Sequence, residues 1–240
     1  IQQELPFDKR AEIYLKTWGI LLKTPSQIEG IRRASLMSAE VLDIVSDHAQ
    51  AGVTTDELDK LAYDEILKRG AIPASLHYGN PPFPKSICTS LNEVICHGIP
   101  DATPLRDGDI VNIDLAVIYE GFYGDCSKMV AIGKVSRERK RVFDTAYACL
   151  MESIEAVRPG APLNVVGAVI DKVAHRNGCS VVTDFVGHGV GLQYHEAPHV
   201  YHYYTGCEIP FTAGMTFTIE PMINAGTHML YIDSQDHWTA

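Results

Sequence analysis

The sequence lacks a cysteine-rich metal motif and a long apolar segment. Its 240 residues include six cysteines, none of which form a C-x-x-C pair, so a structural zinc site built from cysteines is not expected. A chain of this length also needs no disulfide bonds for stability, and we expect reduced thiols. No apolar run reaches about 18 residues, so neither a membrane-spanning helix nor a membrane partner is predicted. Polar residues interrupt the beginning of the chain, so no secretory signal is predicted, and we expect a cytoplasmic or organellar location.

Basic residues are scarce relative to acidic ones. The 20 Lys and Arg oppose 30 Asp and Glu, which gives a formal net charge of −10. Nucleic acids bind through basic surfaces, so no direct nucleic-acid partner is expected. A surplus of carboxylates suits a protein that binds divalent cations. Hydrophobic residues make up 46% of the chain, which is typical of a soluble globular protein with a sizeable core.

Capping signals and apolar spacing predict four main helices. We expect helices at 24–48, 54–70, 136–157 and 163–177, with strands and loops between and after the two helix pairs. No Ser/Gly-rich linker interrupts the chain. We therefore predict one domain at 24–240, preceded by a lead-in at 1–23.

Two helices followed by strands occur twice, which predicts an internal repeat. Gly52 and Gly70 flank the second helix, and Gly160 and Gly178 flank the fourth, at an offset of 108 residues. Such a duplication predicts a sheet core built from two similar halves, with a site between them.

Asp114 and Asp125 lie on a predicted β-hairpin. Alternating apolar residues precede and follow Asp114, and Glu120-Gly121 has the pattern of a two-residue turn. With that turn, Asp114 pairs with Ser127, and Asp125 lies diagonally from Asp114 on the same face, about 7–8 Å away between Cβ atoms. Two like charges so close are costly unless a cation lies between them. The hairpin pattern alone leaves two readings open, a cation site or two solvated acids.

The second half supplies two further polar candidates. His188 lies between two glycines, which allow a ligand to approach the backbone closely, and Glu220 ends an apolar segment predicted as a strand. Each residue alone is equally compatible with a structural role. Together, carboxylates and an imidazole are ligands that a pair of divalent cations would use.

The segment from His195 to His199 fits the zinc motif H-E-x-x-H. That motif requires a helix, so that both histidines share a face. Pro198 removes a backbone donor and pushes Ala197 away from helical geometry. We therefore predict an extended segment here and no zinc site of the H-E-x-x-H type.

Five segments resemble type I methionine aminopeptidase, a metallopeptidase of the pita-bread family. They are residues 83–100, 109–114, 121–129, 187–198 and 218–226. The resemblance extends over roughly residues 25–240 in order. It implies the pita-bread α+β fold, in which pseudo-two-fold αα–β halves surround a curved, mostly antiparallel sheet.

The resemblance also implies a dinuclear metal centre. In the family, two divalent metal ions are held by two aspartates, a histidine and two glutamates. By motif, Asp114, Asp125, His188 and Glu220 take the first four roles. The fifth ligand is expected about thirty residues after Glu220, beyond Ala240. Co, Mn, Fe, Ni and Zn all suit such oxygen and imidazole ligands.

The resemblance further implies how the reaction proceeds. Water activated by the two cations attacks the first peptide carbonyl of a polypeptide, and Glu220 relays its proton. His195 resembles the family histidine that bonds the scissile amide, and His97 resembles the one that contacts substrate and aids proton transfer. The expected activity is removal of the initiator methionine when the second residue is small. A methionine pocket is expected to be lined by Phe83, Cys88, Tyr194 and Trp238.

The expected partners are the N-termini of nascent polypeptides and the ribosome, and the chain is expected to be a monomer. Two alternatives remain open. One is a proline-directed peptidase of the same fold, although those relatives usually have a larger N-terminal domain. The other is a pita-bread protein that binds partners without catalysis, against which the four retained ligands argue.

Overall fold

A computed structural model describes residues 5–240, which form five α-helices and eight β-strands. The helices are α1 (Phe7–Trp18), α2 (Pro25–His48), α3 (Thr55–Lys68), α4 (Arg137–Ala156) and α5 (Asn164–Arg176). The strands are β1 (Ile72–Pro73), β2 (Cys88–Leu91), β3 (Ile110–Tyr119), β4 (Phe122–Ala131), β5 (Ser180–Val181), β6 (Gly187–Gly189), β7 (Glu196–Val200) and β8 (Ile223–Asn224). Residues 1–4 of the predicted lead-in lie outside the described range. None of the helices in residues 5–240 combines the length and the hydrophobicity needed to span a bilayer.

The helices begin where the capping signals place them. Before α2, the Thr24 hydroxyl accepts a hydrogen bond from Gln27 N at 3.3 Å, and Gln27 Oε1 accepts one from Thr24 N at 2.9 Å. Thr54 and Glu57 form the same reciprocal box at the start of α3. The four predicted helices, which correspond to α2 to α5, are confirmed to within one or two residues at each end.

The chain divides into two compact units, each with its own hydrophobic core. Among the described residues, unit 1 contains 5–29 and Asp144–Met229, and unit 2 contains Gly30–Phe143 and Leu230–Ala240. The single domain predicted for 24–240 stays a prediction.

In unit 2, β3 is the centre of a four-stranded antiparallel sheet. β4 pairs along one edge of β3, while β1 and β2 pair with different parts of the other edge. Glu120 and Gly121 join β3 to β4 with positive φ angles of 50° and 81°, which is the geometry of the predicted two-residue turn. One face of β3 packs into the core together with α2 and α3, through Val111, Ile113, Leu115 and Val117.

In unit 1, α4 and α5 share a core with short antiparallel ladders. β5 pairs with β8, and β6 pairs with β7. The strand predicted before Glu220 was wrong, because only Phe217 of that segment forms an isolated bridge, with Gly189 of β6. The Thr218 hydroxyl accepts the His188 N–H at 2.9 Å, so a side chain supplies an acceptor that a regular ladder would take from the backbone.

The predicted repeat is visible in the turns that precede α3 and α5. Gly52 N donates to Leu105 O at 2.8 Å, and Gly160 N donates to Phe211 O at 2.8 Å. Both glycines have positive φ angles, of 94° and 85°. The turns therefore have the same backbone geometry and equivalent partners.

The strands that follow α3 and α5 repeat in the same way. Ile72 of β1 pairs with Ile118, and Ser180 of β5 pairs with Asn224 of β8. The first residues of these pairs differ by 108 positions, as predicted, and their partners differ by 106. The αα–β unit found in each half is thus the same local structure used twice.

Candidate active site

Asp114 and Asp125 lie on one face of the β3–β4 hairpin, as predicted. Asp114 pairs with Ser127, and Asp125 pairs with Ala116, so the two aspartates are diagonal neighbours. On the other edge of β3, Cys88 of β2 is paired with Asp114. Both aspartates are half-buried, so this face carries two partly desolvated negative charges.

The Cys88 thiol reflects the charge on this face. Burial raises its pKa well above the ordinary value, and the neighbouring charges of Asp114, Cys96 and Asp125 raise it further. The carboxylates of Asp114 and Asp125 therefore both lie close enough to influence the Cys88 thiol. Two like charges on one face are stabilised by a cation, and oxygen ligands suit a divalent ion.

His188 and Glu220 form a second pair, in unit 1. His188 Nε2 lies 3.4 Å from Glu220 Oε1. His188 Nδ1 is 2.9 Å from Gly189 O; when Nδ1 carries the proton of that bond, Nε2 presents its lone pair towards Glu220. Thr218, which sequence analysis missed, donates its hydroxyl to Glu220 Oε1 at 2.5 Å. The position of Thr218 two residues before Glu220 was the sequence signal that could have indicated this contact, because residues two apart in an extended segment lie on the same side.

His195 and Tyr194 lie beside this pair. The His195 ring centroid is 4.1 Å from that of His188 and 4.3 Å from that of Tyr194. Because β7 begins at Glu196, the H-E-x-x-H segment is extended, and the prediction against a helical zinc motif is confirmed. Unit 1 thus brings together the predicted metal ligands His188 and Glu220 with the predicted substrate residues His195 and Tyr194.

Unit 2 brings together three predicted substrate residues. The Trp238 ring packs edge-on against Phe83 and His97, with centroid distances of 5.3 and 5.9 Å. Trp238 Nε1 donates to Pro81 O at 3.1 Å, which fixes the orientation of the indole. Burial lowers the pKa of His97, so its imidazole is neutral at pH 7 and can accept a proton.

Sequence analysis also missed His202, which is fully buried beside Glu220. His202 Nε2 accepts a hydrogen bond from the Glu220 backbone N–H at 3.2 Å. Burial, together with the charge of His188, lowers the pKa of His202 to about 4, so the ring is neutral at pH 7. His202 lies two residues beyond the end of β7, so strand alternation gave no signal that its side chain faces inward.

The donor set fits divalent metal ions. Asp114, Asp125 and Glu220 supply carboxylate oxygens, and His188 supplies an imidazole nitrogen. Among residues 5–240, no three His, Cys, Asp or Glu side chains are arranged closely enough to hold a metal ion. The four residues therefore form two pairs, and their joint role in a metal centre stays a prediction.

Comparison with known proteins gives consistent matches. Metallopeptidase family M24 matches residues 29–236. A methionine aminopeptidase of Chlamydia muridarum is 52% identical over 237 residues, which cover 99% of this chain and 81% of that protein. A methionine aminopeptidase of Rickettsia prowazekii is 44% identical over 221 residues, which cover 92% of this chain and 85% of that protein.

Solved structures agree with these matches. The crystal structure of the Rickettsia prowazekii methionine aminopeptidase matches with a TM-score of 0.88, covering 92% of this chain and 88% of that chain. The prolidase of Pyrococcus furiosus matches with a TM-score of 0.72 at 21% identity, covering 59% of that chain, which shows a shared fold alone. The predicted pita-bread α+β fold is confirmed.

Proposed function

Because the chain belongs to metallopeptidase family M24, we propose that it acts as a methionine aminopeptidase. It removes the initiator methionine from the N-termini of polypeptides when the second residue is small. The identity of 52% to a methionine aminopeptidase over 99% of the chain supports this activity. The structural observation that carries it is the contact of 3.4 Å between His188 Nε2 and Glu220 Oε1, beside the His195 ring.

Two divalent cations are the cofactors that the donor set fits best. By the motif assignment, Asp114, Asp125, His188 and Glu220 would hold them, and Co, Mn, Fe, Ni or Zn would suit these ligands. When bound, the cations supply Lewis acidity to the reaction. The contact between Thr218 and Glu220 Oε1 at 2.5 Å fixes one oxygen of that carboxylate, which restricts how Glu220 can turn.

Residues of the chain itself handle protons and substrate. The Glu220 carboxylate takes the proton of the attacking water and passes it to the departing amine nitrogen as the C–N bond breaks. His195 donates a hydrogen bond to the scissile amide and stabilises the charge that develops there. His97, which burial keeps neutral at pH 7, contacts the substrate and accepts or donates a proton during bond cleavage.

A methionine side chain would bind against the aromatic rings of Phe83, His97 and Trp238 in unit 2. Phe83 is buried and, together with His97, packs against the edge of Trp238, and a flexible thioether makes favourable contacts with aromatic rings. The family resemblance adds Cys88 and Tyr194 to the residues proposed to contact the methionine. Selectivity for methionine then follows from an apolar site of limited width.

We further propose that the enzyme acts as a monomer on nascent chains, near the ribosome and in the cytoplasm. None of the six cysteines, all of which lie within residues 5–240, forms a disulfide, which is consistent with a reducing compartment. A mitochondrial methionine aminopeptidase of mouse is 42% identical over 224 residues, which keeps an organellar location open to test.

The decisive experiment compares peptide substrates with and without metal. We expect the protein supplied with cobalt or manganese to release methionine from Met-Ala-Ser, and a chelator to abolish release. Preferential cleavage of Ala-Pro peptides would instead identify a proline-directed peptidase. Absence of hydrolysis with every metal, together with no measurable metal binding, would favour a non-catalytic binding protein.

A further inference from the structure

Lys23 and Glu196 form a buried ion pair in unit 1 that none of the steps above uses. Lys23 Nζ lies 2.8 Å from Glu196 Oε1, and the two side chains are only 1% and 6% exposed. Burial of two charges is costly, and an apolar pair of the same size is often at least as stable. A contribution to stability therefore explains this ion pair poorly. A role in holding the two segments in a fixed geometry explains it better.

The Lys23 end of the pair is anchored by its backbone and by its neighbours. Lys23 N donates to Gly214 O at 2.8 Å. The preceding Ile20 and Leu22 are buried in a small cluster with Tyr14. The next residue, Thr24, begins the capping box of α2. Lys23 consequently extends its ammonium group from a fixed point.

The Glu196 end lies at a β-bulge. Glu196 pairs with Gly189, whereas His199 pairs with His188, so residues 197–198 of β7 have no counterpart on β6. Bulges bend a strand and redirect its side chains, and they occur frequently beside active sites. The ion pair therefore holds β7 at the point where its direction changes.

His195 immediately precedes this anchored residue. Glu196 Oε1 also accepts a long hydrogen bond from Leu192 N, at 3.4 Å, which ties the turn before His195 to the same carboxylate. The position of the Glu196 backbone determines where His195 is presented, and the His195 ring centroid lies 4.1 Å from that of His188. A displacement of Glu196 would move the imidazole relative to the predicted metal ligand.

We propose that Lys23 is a positioning residue for His195. By holding Glu196 at the start of β7, Lys23 keeps the His195 imidazole where it meets the scissile amide. This role rests on the proposed aminopeptidase activity. Lys23 touches neither substrate nor reacting atoms, so its effect on catalysis passes entirely through His195.

A double-mutant cycle tests this dependence. Hydrolysis of Met-Ala-Ser by the full chain with added cobalt is measured for Lys23→Met, for His195→Ala and for the combined variant. We expect Lys23→Met to lower kcat at least about tenfold and to change KM by less than about twofold. In the His195→Ala background, we expect Lys23→Met to have no further effect on kcat. Equal fold losses in both backgrounds would overturn the proposal.

A second variant covers the case in which Lys23→Met does not fold. Replacing both partners, Lys23→Met with Glu196→Met, leaves no unpaired buried charge and should restore folding. We expect this double variant to keep the low kcat, because an apolar contact has no directional preference. A wild-type kcat in the folded double variant would overturn the positioning role.

The controls separate this proposal from the activity on which it rests. Lys60 forms an exposed ion pair with Asp64 at 2.7 Å, and Lys60→Met should leave kcat and KM unchanged. A wild-type chain that fails to cleave Met-Ala-Ser would overturn the proposed function and this inference with it. An active wild type with additive losses would overturn the role of Lys23 alone.

Discussion

Asp114 and Glu220 occupy equivalent positions in the two halves of the chain. In each half, the carbonyl two residues after the acid accepts a backbone hydrogen bond from the segment that follows the second helix. The donors are Ala74 N and Val182 N, at 2.8 and 3.0 Å, and they differ by the repeat offset of 108 residues. The duplicated unit thus places one carboxylate at the same backbone position in each copy.

The first prediction concerns Asp114 itself. Asp114→Asn preserves the size of the side chain but removes a negative charge from the hairpin face. We expect kcat/KM for Met-Ala-Ser to fall at least about 100-fold, because losing a predicted metal ligand should cost no less than disturbing the contacts that support such a ligand. Asp43→Asn is the matched control, since Asp43 is an exposed partner of Lys128 in the same unit, and its rate should be unchanged. Hydrolysis by Asp114→Asn at the wild-type rate would rule out the proposed chemistry.

The second prediction concerns the support of Glu220. Thr218→Val removes the hydroxyl that donates to Glu220 Oε1 at 2.5 Å and accepts the His188 N–H at 2.9 Å. We expect metal affinity, measured by titration calorimetry, to weaken about 10- to 100-fold. Thr216→Val is the control, because the Thr216 hydroxyl donates to Val190 O at 2.6 Å. Equal affinities in the two variants would contradict a specific role for Thr218.

The third prediction concerns the pH dependence of stability in metal-chelated protein. The pKa of His202 is about 4 in the folded protein and near 6.5 when unfolded, so the unfolded chain takes up the proton first. The stabilising contribution of neutral His202 is complete above about pH 6.5 and is lost progressively as the pH falls towards 4. The free energy of unfolding then decreases by up to about 3 kcal/mol.

Urea unfolding at pH 7 and pH 4.5 would measure this effect. His202→Gln keeps an acceptor for the Glu220 N–H and does not titrate, so its free energy of unfolding should change less between the two pH values. The same change in the variant and the wild type would assign the pH dependence to other groups.

The fourth prediction concerns the bulge beside His188. A Cβ at Gly189 would lie 2.2 Å from Ala197 O, so Gly189→Ala must displace backbone. We expect the free energy of unfolding to fall by about 1–3 kcal/mol. Gly226→Ala is the control, since nothing lies within 4 Å of its added Cβ, and it should change stability by less than about 0.5 kcal/mol. Unchanged stability in Gly189→Ala would show that the bulge tolerates a shift.

Much of the local structure could be predicted because its determinants are close in sequence. The reciprocal hydrogen bonds of Thr54 and Glu57 link residues three apart, and the Glu120-Gly121 turn sets the whole β3–β4 register. The diagonal placement of Asp114 and Asp125 followed from that register alone. The prediction of a strand before Glu220 was wrong. The pattern of apolar residues does not show that the Thr218 side chain, and not the backbone, accepts the His188 N–H.

The sequence by itself therefore determined the helices, the hairpin, the repeat and, through its motifs, the identity of the expected ligands. Only the tertiary structure decided which distant side chains meet. His188 contacts Glu220, His202 supports the backbone of Glu220, and Lys23 reaches Glu196. Local structure depends on hydrogen bonds and periodicities that span a few residues. Contacts between buried polar groups depend instead on how whole elements pack, and no local pattern encodes that packing.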